Sequence, residues 1–247
     1  MGQENRDIRL IALDMDGTLL NSNHEVSKQN RLAIEKAREK GLEVILSTGR
    51  HFSTCSAYAK SLNLSSYLIT VNGSEIWTAT GELVERQLLD VAIMELLVSL
   101  HKKHETYAWV ASTNKIWRGE IPANLEDYEW LKFGFDTDSN ETKEAIVDQL
   151  SKNELVELSN SSPTNIEVNA VGINKARAIE KVCARLGITM DQVMAMGDSL
   201  NDIKMIEEVG LGVAMGNAQD EVKAVCDWVT KHHDDDGVAY AINKLVL

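Results

Sequence analysis

RLIALDMDGTLLNS, residues 9–22, is the stretch on which the reading of this chain turns. Leu10 to Leu13 form a short apolar run, as in a strand buried on both faces. It stops at two acids one residue apart, Asp14 and Asp16, with Gly17 and Thr18 directly behind them. Carboxylates repel one another and favour water. Two of them at the mouth of a buried strand require compensating positive charge from elsewhere in the chain.

The rhythm set by this strand continues. SKQNRLAIEKAREKG (27–41) reads as a helix with Ser27 as N-cap and Gly41 as the stop. LEVILSTG (42–49) and SYLITVNG (66–73) read as two more buried strands. The end of the chain repeats the pattern, with helix NKARAIEKVCARLG (174–187), strand QVMAMGDS (192–199), helix NDIKMIEEVG (201–210) and strand GLGVAMG (210–216). Alternating βα units predict a parallel sheet with helices on both faces.

The middle breaks the rhythm. SEIWTATGELVERQL (74–88) reads as a hairpin turning near Thr80-Gly81. Beyond it come a helix near 90–104, strand-like TYAWVA and NKIWRG, the acidic aromatic LEDYEWLKFGF, a helix near 140–152, and LVELSN and TNIEVNA. The expected organisation is a core from 1–87 and 172–247 with an inserted α+β domain at 88–171, within the usual domain size range. Trp77, Trp109, Trp117 and Trp130 fall in or beside this middle part and are expected mainly as core.

Polar residues collect where predicted strands end: Asp14 and Asp16 after the first, Ser47, Thr48, Gly49 and Arg50 after the second, and Asn72 and Gly73 after the third. Asp198, Ser199, Asn201 and Asp202 follow the strand that ends near Met196. Open parallel sheets bind ligands outside the carboxyl ends of their strands, so these groups should share one crevice. Several carboxylates there, with no His or Cys among them, suit a hard dication, Mg²⁺ being the natural choice. An aspartate beside such an ion can act as a nucleophile, and a partner acid can move the proton. A phosphoryl group also needs positive charge and N–H donors, which Lys175 and the amides of Gly17 and Thr18 could supply, with Thr48 adding a hydroxyl.

DMDGT, STGR, the lone Lys175 and GDSLND resemble the four motifs of the haloacid dehalogenase (HAD) superfamily. NGSEI, GVAMGNA and DDDGVA resemble further signatures of its Cof-type sugar-phosphatase branch. The resemblance covers most of the outer thirds of the chain. It implies a Rossmann-like three-layer α/β core with a parallel sheet and a large inserted cap. It also implies roles: Asp14 as nucleophile, and Asp16 as general acid/base lending its backbone carbonyl to Mg²⁺. Thr48 and Lys175 would hold phosphoryl oxygens and Asn201 would orient the phosphate, with Arg50 and Asn72 near the site. Asp198 would ligate Mg²⁺, and Asp202 would support it or bind through water. The lysine is followed by Ala176 where many relatives have glycine, which a helix start tolerates. Because Asp16 is present, phosphoryl transfer is favoured over carbon–halogen chemistry.

The activity implied is a Mg²⁺-dependent phosphatase acting on a small phosphorylated metabolite through an aspartyl-phosphate. A phosphomutase or phosphotransferase using the same intermediate, or a non-catalytic binding protein on this fold, would use the same residues differently. Lys115, Trp117 and Arg118 are candidate contacts to the leaving group.

Rival readings fail on spacing. An EF-hand counted from Asp14 puts Leu19 where the loop needs glycine. GLGVAMG holds only a partial GxGxxG, no GxxxxGK[ST] occurs, and the six histidines have no zinc spacing. Asp234 to Asp236 and His232-His233 read as a solvated loop, and Cys183 as packed. The charge, 25 minus 38 or −13, argues against nucleic acid as a partner. Three scattered cysteines suggest a reducing compartment, and MGQENRD has neither an apolar leader core nor the myristoylation pattern. No run has membrane-spanning length, so a cytoplasmic protein without a membrane partner is expected. The sequence does not indicate an oligomeric state.

Overall fold

In the computed structural model the described residues are 6–247, so the reading of the first five residues lies outside them. The strands and helices of the first part are β1 (Leu10–Leu13), α1 (Lys28–Glu39), β2 (Glu43–Ser47), α2 (Phe52–Ser61), β3 (Tyr67–Thr70), β4 (Glu75–Thr78) and β5 (Leu83–Arg86). The middle holds α3 (Val91–His104), β6 (Tyr107–Ser112), β7 (Ile116–Arg118), β8 (Trp130–Asp136), α4 (Asn140–Leu150), β9 (Val156–Ser159) and β10 (Asn165–Ala170). The chain then continues through α5 (Lys175–Leu186), β11 (Val193–Gly197), α6 (Ile203–Glu208), β12 (Leu211–Ala214), α7 (Asp220–Val225), β13 (Trp228–Val229) and α8 (Gly237–Leu245).

The large sheet runs β13-β12-β11-β1-β2-β3-β4-β5. Pairing from β13 to β3 is parallel throughout, and the β3–β4 and β4–β5 pairings that complete the sheet are antiparallel. β1 is fully buried between β2 and β11, as its unbroken apolar run requires. The chain leaves β1 toward β2 on one side and later returns on the other side at β11. The carboxyl end of β1 is therefore the point where the winding reverses, the favoured place for a ligand crevice. Two helix groups cover the sheet, α1 against α8, and α6 packed between α5 and α7.

The second sheet is antiparallel, in the order β7-β6-β8-β10-β9. Its strands alternate sharply. Ala108, Val110, Phe133, Phe135, Ile166 and Val168 pack with Met94 and Leu97 of α3 and Ile146 and Leu150 of α4. The alternate positions Trp109, Lys132, Gly134, Glu167 and Asn169 therefore point the other way, toward the large sheet. β8 and β10 are buried along almost their whole length, although one of their faces is polar.

The acidic run Asp234 to Asp236, expected as a solvated loop, is exposed at Asp234 and Asp235 and serves in addition as a fastening point. Asp234 accepts hydrogen bonds from Ser22 N at 2.7 Å and Ser22 Oγ at 2.6 Å, and Asp236 accepts from Ser27 Oγ at 2.5 Å. His233, also expected in solvent, lies within 2.7 Å of the Leu20 carbonyl through Nδ1. These bonds tie the loop behind β1 to the end of the chain, a pairing that local sequence does not express. Cys183 is buried, as expected.

Ser27 serves both structures, because its side chain also accepts from Asn30 N at 3.1 Å to cap α1. Replacing it, Ser27→Ala, is expected to cost about 1–2 kcal/mol in urea denaturation. An unchanged midpoint would show that neither bond contributes.

Candidate active site

The first acid of the opening motif, Asp14, meets a lysine 161 residues away. Lys175 Nζ donates to Asp14 Oδ1 at 2.6 Å and to Asp202 Oδ1 at 2.6 Å, with no part of its side chain exposed. Helix geometry places it. Asn174 caps α5 by accepting from Arg177 N at 2.9 Å, so Lys175 is the first helical residue, and its side chain runs back beneath the ends of the strands. Asp202 is fully buried, and its second oxygen accepts the backbone N–H groups of Asp198 at 2.9 Å and Ser199 at 3.0 Å. Asp198 accepts from Thr18 Oγ1 at 3.1 Å and from Ser199 Oγ at 3.1 Å. Gly17 makes this approach possible: its φ is +77°, and a Cβ there would lie 2.4 Å from Asp198 Oδ2.

One carboxylate oxygen from each of Asp14, Asp198 and Asp202 lies within 4.8 Å of the others. Burial pushes the Asp14 carboxyl well above the usual range; Lys175 opposes this, while Asp202 and Asp198 reinforce it. Burial and the neighbouring Asp202 push Asp198 up to about 7. Burial works against the Lys175 charge as well, but Asp14 and Asp202 outweigh it and hold the ammonium above its ordinary range. One lysine cannot balance three clustered acids, two of them buried and the third, Asp198, partly so. An oxygen-only donor set with this excess of negative charge fits a hard dication. Asp202 has spent both oxygens on Lys175 and backbone amides, which leaves Asp14 and Asp198 as the freer donors.

Asp14 opens into a cavity of about 500 Å³, within the size range of small-molecule sites. Asp16, Thr48, Arg50 and Asn201 also line it, so most of the residues singled out in the sequence face one space. Their detailed placement adds information. The Asp16 carboxylate stands outside the three-acid cluster, gripped by Arg50 through Nε at 2.7 Å and Nη2 at 2.5 Å. The Arg50 guanidinium is thus committed to Asp16. Thr48 Oγ1 accepts from Arg50 N at 3.1 Å. Asn201 Nδ2 is 3.4 Å from Asn72 Oδ1, and its own Oδ1 is buried with no partner among the described residues.

The second sheet forms the opposite wall with Trp109, Ala111, Ile116, Arg118, Lys132 and Glu167. Of the three candidate contacts there, Arg118 lines the cavity. Trp117 instead packs against Tyr128 and Trp130, with Lys115 over its ring. Sequence reasoning missed Lys132 and Glu167, a buried ion pair at 3.2 Å. Lys132 Nζ also donates to the Gly49 carbonyl at 2.9 Å. Glu167 accepts from Asn72 at 2.6 Å and Ser161 at 2.8 Å. Burial works against the Glu167 charge, but Lys132 and these donors outweigh it and hold the carboxyl below its ordinary range. Asn217, also missed, donates to the Gly17 carbonyl at 2.8 Å. The only sequence sign of the ion pair is a charge at an inward position of an otherwise apolar strand, in KFGF and in NIEVNA.

Comparison with known proteins agrees with this geometry. A family model described as haloacid dehalogenase-like hydrolase matches residues 11–122 and 118–242. The chain is similar to 5-amino-6-(5-phospho-D-ribitylamino)uracil phosphatase YcsE of Bacillus subtilis, with 56% identity over 99% of this chain and 98% of that protein. It is 29% identical to the phosphatase YwpJ of the same organism, over 97% of this chain and 100% of the relative. Its fold superposes on a solved haloacid dehalogenase-like hydrolase from B. subtilis with a TM-score of 0.89 at 27% identity, covering 97% of this chain and 100% of the other. The chain belongs to the haloacid dehalogenase-like hydrolases.

Proposed function

We propose that this protein is a Mg²⁺-dependent phosphatase that hydrolyses a small phosphorylated metabolite through an aspartyl-phosphate on Asp14. The observation that carries this reading is the split environment of Asp14. Lys175 holds Oδ1 and fixes the carboxylate at the base of the cavity, leaving Oδ2 to attack phosphorus. Asp14 and Asp198, with Asp202 behind them, would hold Mg²⁺, which when bound offsets the charge of the acids and of the phosphoryl oxygens. The division into core (residues up to 87 and 172–247) and cap (88–171) belongs to the same reading.

In the first half-reaction Asp14 forms a bond to phosphorus while the bond to the leaving alcohol oxygen breaks. Asp16, in its protonated form, gives that oxygen its proton. In the second, Asp16 takes a proton from water, which attacks phosphorus and breaks the bond to Asp14, releasing inorganic phosphate. Arg50 grips Asp16 from the side, so delivery of the proton requires that pair to loosen. Thr48 and the amides behind Asp14 receive the phosphoryl oxygens, and Asn201 orients them. The second sheet screens the cavity from bulk water.

The substrate proposed is 5-amino-6-(5-phospho-D-ribitylamino)uracil, on the strength of 56% identity to the relative named for that activity. Release of inorganic phosphate from this compound, from hexose phosphates and from mononucleotides tests the choice. It should be the preferred substrate in kcat/KM. Asp14→Asn should lower release by on the order of 10³-fold or more; near-native turnover would remove Asp14 as nucleophile.

The acid cluster also predicts how stability depends on pH. Asp198 binds its proton more tightly folded than unfolded, because its folded pKa of about 7 lies above the ordinary carboxylate value. The sign follows: without a divalent ion, raising the pH from about 4 through 7 removes stability, and below that window nothing is lost. The Tm in EDTA should therefore fall over this range, and the increase in Tm on adding Mg²⁺ should be larger at pH 8 than at pH 5. An increase equal at both pH values would place the ion elsewhere. Asp198→Asn should flatten the EDTA profile.

A further inference from the structure

The cavity wall formed by the second sheet has a specific composition. On β6 and β7, Trp109 stands directly opposite Arg118; on β6 and β8, it stands opposite Gly134; on β8 and β10, Gly134 stands opposite Glu167. Directly opposed residues share a face, so these four form a row across the sheet, turned toward the large sheet. Gly134 is the odd member. A Cβ on it would lie 2.1 Å from Trp109 Cε2 and 2.5 Å from Cζ2. No other residue type would let the indole lie down across β8, so this glycine turns a tryptophan from a projecting side chain into a paved surface. Lys132 Nζ, 4.7 Å from the ring centre, fixes it further. Trp109 is nonetheless only half-buried, and it borders the cavity.

Arg118 is the second unusual element. The other two cations on the cavity wall are engaged, Arg50 by Asp16 and Lys132 by Glu167. The Arg118 side chain has neither hydrogen bond nor ion pair among the described residues. It is exposed and stands beside the indole. An aromatic surface next to an uncommitted fork of N–H donors is suited to a flat ring with carbonyl oxygens at its edge. Phosphate-binding groups occupy the opposite side of the same cavity, so such a ring would belong to the leaving group.

We propose that Trp109, laid flat by Gly134, and Arg118 form a subsite that selects a leaving group bearing a planar, carbonyl-rich heterocycle, the indole packing on the ring and the guanidinium donating to its oxygens. The subsite rests on the reading of the cavity as a phosphomonoester site, but it concerns recognition and not turnover, so the two can fail separately. It separates substrates that share a polyol phosphate and differ only in the ring.

Calorimetric binding to the full chain carrying Asp14→Asn, in Mg²⁺, provides the test, because this variant binds without consuming its ligand. The probes are 5-amino-6-(5-phospho-D-ribitylamino)uracil and D-ribitol 5-phosphate. The ring-bearing compound should bind at least about tenfold more tightly. Adding Trp109→Leu should shrink that ratio to within about threefold, Trp109→Phe should keep most of it, and Arg118→Gln should reduce it. Equal binding of the two probes, no binding of either, or a ratio that survives Trp109→Leu overturns the subsite. Should Trp109→Leu lose its folded circular dichroism, Arg118→Gln decides, since this side chain is exposed and an unchanged ratio there overturns the subsite as well. If the native chain releases no phosphate from either probe while the ring preference persists, the phosphatase reading fails and the subsite stands.

Discussion

The ammonium of Lys175, held between Asp14 and Asp202 with no access to water, is the interaction on which the site depends. A charge so deeply buried is tolerated only when it is paired and hydrogen-bonded, and removing one partner of such a group typically costs about 3–5 kcal/mol. The surrounding structure meets that condition from three directions. β1 delivers Asp14, the start of α5 delivers Lys175, and the turn after β11 delivers Asp202, whose remaining oxygen gathers the amides of Asp198 and Ser199. Every bond that steadies the lysine therefore also orients an acid. Asp14 is left with one oxygen held and one available, the asymmetry a nucleophile needs.

The second sheet is bound to this arrangement and does not merely hang above it. β8 and β10 are sandwiched, with helices behind them and the large sheet in front. Their forward face carries Lys132 and Glu167, which reach Gly49 after β2 and Asn72 after β3. The two walls of the cavity thus share hydrogen bonds at the strand ends where phosphate-binding groups sit. A buried charge network of this kind is demanding, because each member must find its partners for the burial to be tolerated.

Much of this was legible in the sequence, and the reason is chemical. An apolar run ending in DMDGT, or a strand ending in GDSLND, combines burial with charge so abruptly that few structures accommodate it. The alternation of strand and helix followed from periodicity, and the N-cap of α1 from Ser27. The second sheet gave up its face pattern but not its partners. Nothing near Lys132 announces Glu167, since they sit 35 residues apart and meet only through strand pairing. Trp109 and Trp130 look alike as letters; the register opposite Gly134 makes one a wall of the cavity, while the other is buried in the packing against the helices. Asp16 was readable as a site residue, but its grip by Arg50 depends on how two loops approach each other, which no local pattern encodes.

The central position of β1 has a consequence for how the chain is made. One edge of β1 pairs with β2, which follows soon after it; the other pairs with β11, which lies beyond the entire second sheet. On the ribosome that second edge stays open while the intervening strands and helices are synthesised, and an open apolar edge is the kind that recruits other chains. LIAL is short, and it is flanked by Arg9 on one side and Asp14 and Asp16 on the other. Charges at the ends of an unpaired apolar strand act as gatekeepers against aggregation. The acids that later define the cavity thus protect the nascent strand before there is a cavity to serve.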